Sequence, residues 1–339
     1  RRSTMTPDIS VLDQSPVLAS PSGAGGLALT VELARAADAW GYKRYWVAEH
    51  HGGEAYAGAA PEILVGHIAS QTKNIRVGSG GVMLPHYSPY KVAEKFGMLA
   101  TLYPRRIDLG IGRASGTDDL GSHALAYPYQ PLREDFYPQQ ALLLKGFIDQ
   151  SIPSSHPYAT LKVMPAGVPK PEMWMLGSSG GSAALAGSLG YKMALALFIG
   201  PQERPVSIID DYENAWRAAG HKGDPEVMIV TACFCADTRE EAKMIAATQA
   251  YWKVFAFLYG RMVPFYPPDE VAALYRKLSP SEQEYFEITR ESGIYGTPDE
   301  CLERLQRLCG KYRANELGIV TVTYDQASRL KSYKLIAQK

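Results

Sequence analysis

At 339 residues the chain is long enough for one large α/β domain or two ordinary ones, and 46% apolar residues supply a substantial core. Its 35 basic and 35 acidic side chains cancel, and no run of Lys or Arg exceeds a pair such as Arg105-Arg106. A nucleic-acid partner, which leaves a basic excess on one face, is therefore not expected. No apolar stretch reaches the roughly 18 residues that cross a bilayer, so no membrane partner is expected either.

Arg1-Arg2 is followed by polar residues and not by the apolar segment of a secretory signal, and Met5 reads as the start of a single domain over 5–339. Cys233, Cys235, Cys301 and Cys309 form neither a disulfide framework nor the paired spacing of a zinc site. A reducing, cytoplasmic compartment is the expectation.

In chain order, an apolar run at Ile9–Leu12 precedes Leu27–Trp40, whose three-to-four spacing and closing Gly41 predict a helix. Arg44–Ala48 reads as a strand and Pro61–Gln71 as a helix with proline in its first turn. Ile75–Leu84 is a predicted strand, Tyr90–Leu102 a helix and Arg106–Ile111 a strand. These three strands begin at 44, 75 and 106, a constant interval of 31 residues. Such a cadence means parallel strands joined by crossover helices.

A helix follows at Arg133–Phe147, then an irregular Pro- and Ser-rich stretch, Ser151–Pro171. Met173–Leu176, Lys192–Leu197 and Val227–Phe234 continue the strands, with helices beginning near Gly181 and Pro205. Residues 251–296 are aromatic and broken by Pro264, Pro267 and Pro268, and read as an inserted excursion or lid. Pro298–Tyr312 and Leu317–Thr323 supply the last helix and strand. Eight strands give a (β/α)₈ TIM barrel with insertions before strands five and eight; a doubly wound open sheet is the alternative. Both put ligands at the carboxyl ends of the strands.

The chemistry-bearing segments fall at those ends. Gly177-Ser178-Ser179-Gly180-Gly181-Ser182, between a strand and an Ala-rich helix, is the composition of a phosphate-binding turn, or of a plain serine-capped turn. Gly110-Ile111-Gly112-Arg113-Ala114-Ser115-Gly116 only superficially resembles a dinucleotide fingerprint: its third glycine is one residue late, and no helix is expected directly after it. Arg113 can stack on a flat ring or pair with a phosphate, or simply form a surface ion pair.

Gly80-Gly81 inside a strand suggests close approach of a ligand ring or crowding within a narrow barrel. Glu49-His50-His51 offers an acid/base histidine. A metal site would need further ligands such as His86 or Asp13, and no metal is expected.

Taken together, these segments resemble the bacterial-luciferase-like flavin monooxygenases, in particular a single-chain group whose first strand ends in Leu-Asp-x-Ser-Pro. The stretches that carry this are Leu12-Asp13-Gln14-Ser15-Pro16, Ala48-Glu49-His50-His51, Gly80 to Pro89, Arg106 to Arg113, Gly177-Ser178-Ser179 and Tyr295 to Glu300. The resemblance implies a barrel with reduced FMN at its carboxyl face and O₂ as co-substrate. It implies a cis peptide at Gly80-Gly81 against the flavin ring, Arg113 beside the flavin, and Ser178, Ser179 and Gly180 around the phosphate. It makes His50 the catalytic base and puts Met193 and Phe198 against the flavin.

It further implies a small organic substrate, an aldehyde or other carbonyl compound among the options, a separate flavin reductase, and a homodimer through helices two and three. Luciferase itself has an acidic residue where Ser178 stands and a cysteine where Gly112 stands, so light emission is not expected. A deazaflavin-dependent barrel oxidoreductase and a non-catalytic flavin-binding protein are the alternatives.

Overall fold

The computed structural model describes residues 7–18, 23–132, 135–167, 169–200 and 203–338. The expected start at Met5 and the first two residues of the helix predicted from Arg133 lie outside them. Strand β1 (Asp8–Asp13) leads into α1 (Gly23–Ala39), followed by β2 (Arg44–Val47), α2 (Pro61–Gln71), β3 (Arg76–Met83), α3 (Pro89–Leu102) and β4 (Ile107–Gly112). Two helices, α4 (Asp119–Ala126) and α5 (Tyr137–Asp149), precede β5 (Glu172–Gly177). Then come α6 (Gly180–Leu189), β6 (Lys192–Ala196), α7 (Ser207–Ala218) and β7 (Val227–Cys235). Helices α8 (Arg239–Tyr259), α9 (Pro268–Tyr275) and α10 (Pro280–Ser292) and a short strand β8 (Ile294–Gly296) lead to α11 (Pro298–Lys311), β9 (Glu316–Val320) and α12 (Gln326–Ala337).

Strands β1 to β7 and β9 pair in parallel, and the pairings β6–β7, β7–β9 and β9–β1 close the ring. The result is a closed eight-stranded (β/α)₈ barrel, as the cadence predicted. Strand β8 is an addition: it pairs with the far end of β7, from Cys233 to Cys235, beyond the barrel proper.

Alternation along each strand separates two cores. Leu12, Trp46, Trp174, Ala194, Met228, Val230 and Val320 fill the interior. Val11, Val47, Leu109, Met175, Met193, Leu195 and Ile319 face the helices, in one continuous cluster with Leu33, Ile68 and Phe96.

The amino ends of the strands are plugged by buried charge. Arg44 reaches Asp108 at 3.0 Å, Glu172 at 2.8 Å and Glu316 at 2.9 Å, while Trp46 Nε1 donates to Asp108 at 2.9 Å. A second buried pair, Asp13–Arg329 at 2.7 Å, ties the end of β1 to α12. The Asp13 carboxylate also accepts from the Ser15 amide and the Tyr45 hydroxyl. Burial opposes ionisation of Asp13, but the Arg329 guanidinium and these donors outweigh it and hold its pKa below the usual value.

Two departures from the expected pattern bear on the site. Tyr251–Tyr259 is not the start of an excursion but the last part of α8, which nothing breaks before Gly260 (φ 61°). Trp252, Lys253 and Val254 are consequently buried. A helix, α4, does follow the glycine segment after β4, but it starts three residues past Gly116, capped by the Asp118 side chain on the Gly121 amide.

Candidate active site

At the carboxyl ends of the strands, β2 delivers Glu49, His50 and His51. Glu49 is buried, and its carboxylate accepts from the Met83 amide at 2.8 Å, contacts His51 Nε2 at 2.6 Å, and accepts from the Tyr87 hydroxyl. Burial and the Glu49 hydrogen bond push the Tyr87 hydroxyl up in pKa, so it stays protonated and donates. Glu49 thus fastens β2 to the turn after β3 and holds the His51 ring.

His50 is left differently placed. Its backbone amide donates to Gly58 at 2.9 Å, but its Nδ1 is buried without a partner in the protein. Burial, aided by the charge of His51, pulls its pKa down to about 4, so the ring is neutral near pH 7. Tyr56 lies against it at 4.5 Å between ring centroids, and Trp252 (5.4 Å) and Phe265 (6.2 Å) pack on Tyr56.

Gly80 and Gly81 are joined by a cis peptide at a register irregularity between β3 and β4. The Ser79 hydroxyl serves the backbone there, donating to the Gly110 carbonyl at 2.8 Å and accepting from its amide at 3.1 Å. The barrel interior is crowded at both glycines. A side-chain carbon on Gly80 would stand 2.5 Å from Leu12 and 3.0 Å from Trp46, and one on Gly81 would stand 2.9 Å from Ile111.

Ser178 and Ser179 form the turn between β5 and α6, with Ser179 as the N-cap accepting from the Ser182 amide. The first amides of α6, at Gly180 and Gly181, have no helical acceptor and carry the positive end of the helix dipole. Asp211 occupies the flank of Gly180, whereas a side chain at Gly181 would meet no atom within 4 Å. An anion would therefore enter on the Gly181 side. Arg113, just past β4, lines one cleft with Gly181. Its guanidinium pairs with Asp135 at 3.2 Å and stacks over Tyr137, so the surface ion pair and the ring-stacking geometry coexist.

Phe198 follows β6 and packs against the barrel interior and a cluster holding Phe234 of β7 and Tyr295 of β8. Its carbonyl accepts from Lys253 Nζ at 2.6 Å, a buried amine pulled down to about 8 by its burial. Met193 does not join this group. It sits in the outer core, because on β6 it is Ala194 that points inward. His86 binds the Ser115 carbonyl and Asp13 is committed to Arg329. Among the described residues, no three His, Cys, Asp or Glu side chains converge as metal ligands.

Sequence reasoning singled out the Glu49-His50-His51 segment but not the partners of Glu49, nor Tyr56. The sequence gives Tyr87 no role of its own. Trp252 and Phe265 fall within residues 251–296, which the sequence marks only as an aromatic excursion or lid.

A family model described as luciferase-like monooxygenase matches residues 8–311. N-acetyl-S-alkylcysteine monooxygenase of Bacillus subtilis (strain 168) is 37% identical over 332 residues, 97% of this chain and 97% of its own. The crystal structure of apo-MsnO8 matches with a TM-score of 0.85 at 38% identity, over 98% of each chain. The oxygenating constituent of 3,6-diketocamphane monooxygenase from Pseudomonas putida, solved with FMN, matches with a TM-score of 0.73 over 99% of this chain and 98% of that one. At 20% identity that last likeness speaks for a common fold.

Proposed function

The chain belongs to the luciferase-like monooxygenase family, and from that premise we propose that it oxygenates a small organic substrate with reduced FMN and O₂. The observation that carries this reading is convergence: a neutral histidine with an unpartnered buried Nδ1 and an open helix start at Gly181 both lie at the carboxyl ends of the strands of one barrel.

The residues fit the cofactor. Ser178, Ser179 and the amides of Gly180 and Gly181 would hold the phosphate, with Arg113 nearby as the cation. The Gly80-Gly81 backbone and Phe198 would flank the ring. When bound, reduced FMN would supply the two electrons that let one oxygen atom enter the substrate while the other leaves as water.

His50 Nδ1, neutral and desolvated, takes a proton from the substrate or from developing acid. Glu49, through His51 and Tyr87, keeps the β2 end rigid so that this nitrogen stays in place. Tyr56, Trp252 and Phe265 exclude water above it. The segment after α8 would act as the lid.

Reduced flavin would come from a separate reductase, and four buried, unpaired cysteines suit a reducing cytoplasm. The exposed apolar residues Ile63 on α2 and Met98 and Leu102 on α3 suit a homodimer, which light scattering of the purified protein would test.

The functional test is oxygen consumption with FMN, a flavin reductase and a panel of thioethers, aldehydes and ketones. Substrate-dependent uptake with transfer of labelled oxygen to product is the expected result. Flavin oxidation yielding only hydrogen peroxide with every substrate would favour a binding protein.

A further inference from the structure

A groove of about 850 Å³ opens beside the aromatic cluster, between the β2–α2 loop and the segment linking α8 to α9. Leu18, Met262, Val263 and Phe265 give it apolar walls, and Tyr56 lines it as well. Tyr56 also lies against the His50 ring, so the groove leads toward the candidate base. The charges on the groove are of one sign. Glu54 and Glu270 line it, and no Lys, Arg or His does among the described residues. Arg261, next to Met262, is turned onto the Phe255 ring at 5.8 Å.

Aromatic faces attract cations and give nothing to anions, and two carboxylates at the rim add repulsion of the same sign. The amino-terminal dipole of α6 and Arg113, which could welcome an anion, belong to the phosphate position at the end of β5. They do not line this groove.

We infer that this groove, with Tyr56 and Phe265 in its wall, admits the organic substrate and selects an elongated apolar molecule ending in a neutral or ammonium group, rejecting carboxylates. This rests on the barrel mouth being the active site, and it separates the chain from its relative named for N-acetyl-S-alkylcysteine, a carboxylate at neutral pH.

The test uses three matched probes, phenylbutylamine, phenylbutanol and phenylbutanoate, titrated calorimetrically into the full-length protein at neutral pH, without and then with FMN. The amine and the alcohol are expected to bind saturably, with the carboxylate weaker than the amine by about tenfold or more. Glu54→Gln with Glu270→Gln should bring the amine and the carboxylate within about twofold of each other, both positions being exposed and safe for folding. Phe265→Ala should weaken the amine and the alcohol alike.

A carboxylate that binds as well as the amine, a preference that survives the double substitution, or no saturable binding of any probe would overturn the inference. Failure of FMN to bind, measured separately, would remove the flavin reading and leave the charge preference standing. FMN binding without the preference would remove only the substrate inference.

Discussion

His50 and Tyr56 stack with ring centroids 4.5 Å apart and planes 33° apart, which desolvates the imidazole and leaves its Nδ1 without a protein partner. Burial of this ring, with His51 adding to it, keeps the candidate base neutral near pH 7. A histidine in water would be partly charged near pH 6.5, whereas this one is neutral down to about pH 4.

His50→Ala should therefore lower kcat/KM by about 10²- to 10⁴-fold, the usual contribution of a positioned proton acceptor, while FMN affinity changes little. Wild-type kcat/KM should show no acid break assignable to His50 between pH 5 and 7. A break near 6.5 that disappears in the variant would contradict the depressed pKa. The linked stability has a definite sign. The folded pKa lies below that of the unfolded chain, so the unfolded chain binds the proton first. Its stability contribution is complete above about pH 6.5 and declines toward pH 4.

Gly181→Asp separates fold from cofactor. The new side chain meets no atom within 4 Å, and a carboxylate in the first turn of α6 is favourable to the helix dipole. Thermal stability should hold or rise slightly, while the affinity for FMN phosphate falls by about tenfold or more through like-charge repulsion. Equal FMN affinity in variant and wild type, read by fluorescence titration, would move the phosphate elsewhere.

Breaking the buried Asp13–Arg329 pair should be costly because it strands a charge in the core. Arg329→Met is expected to lose about 3–5 kcal/mol in urea unfolding. The double variant with Asp13→Asn should lose less than the sum of the two single changes. Strict additivity would mean that the two side chains act independently, contrary to their 2.7 Å contact.

At the opposite end of the barrel, burial alone would raise the pKa of Glu172, but Arg44, Arg76 and Lys192 outweigh it and bring it to about 2. The stability this supplies is present above the unfolded value of about 4.3 and is lost as pH falls toward 2. Glu172→Gln should flatten the acid limb of the unfolding profile between those limits. An unchanged acid limb would show that Glu172 is not held by its three cations.

Much of the barrel was legible because periodicity and punctuation agree. Strands expected at 44, 75 and 106 begin at 44, 76 and 107, and the Pro61–Gln71 helix has the expected bounds. The misplacement of Met193 has a physical cause. A barrel strand is buried on both sides, so alternation shows that Met193 and Leu195 share a face but not which face looks inward.

Trp252 was hidden for a different reason: the prolines that mark a break lie beyond Gly260, so the aromatic stretch looked irregular from Tyr251 onward. The stacking of Tyr56 on His50 and the grip of Tyr87 on Glu49 join loops distant in sequence, and no local pattern encodes them.

The central claim, that this barrel is built for reduced FMN, is tested most directly by anaerobic equilibrium titration of the protein with reduced FMN, alongside a reduced deazaflavin of matched concentration. The expected result is one FMN per chain, bound at least about tenfold more tightly than the deazaflavin and weakened by Gly181→Asp. Preferential binding of the deazaflavin, or FMN binding indifferent to that substitution, would contradict it.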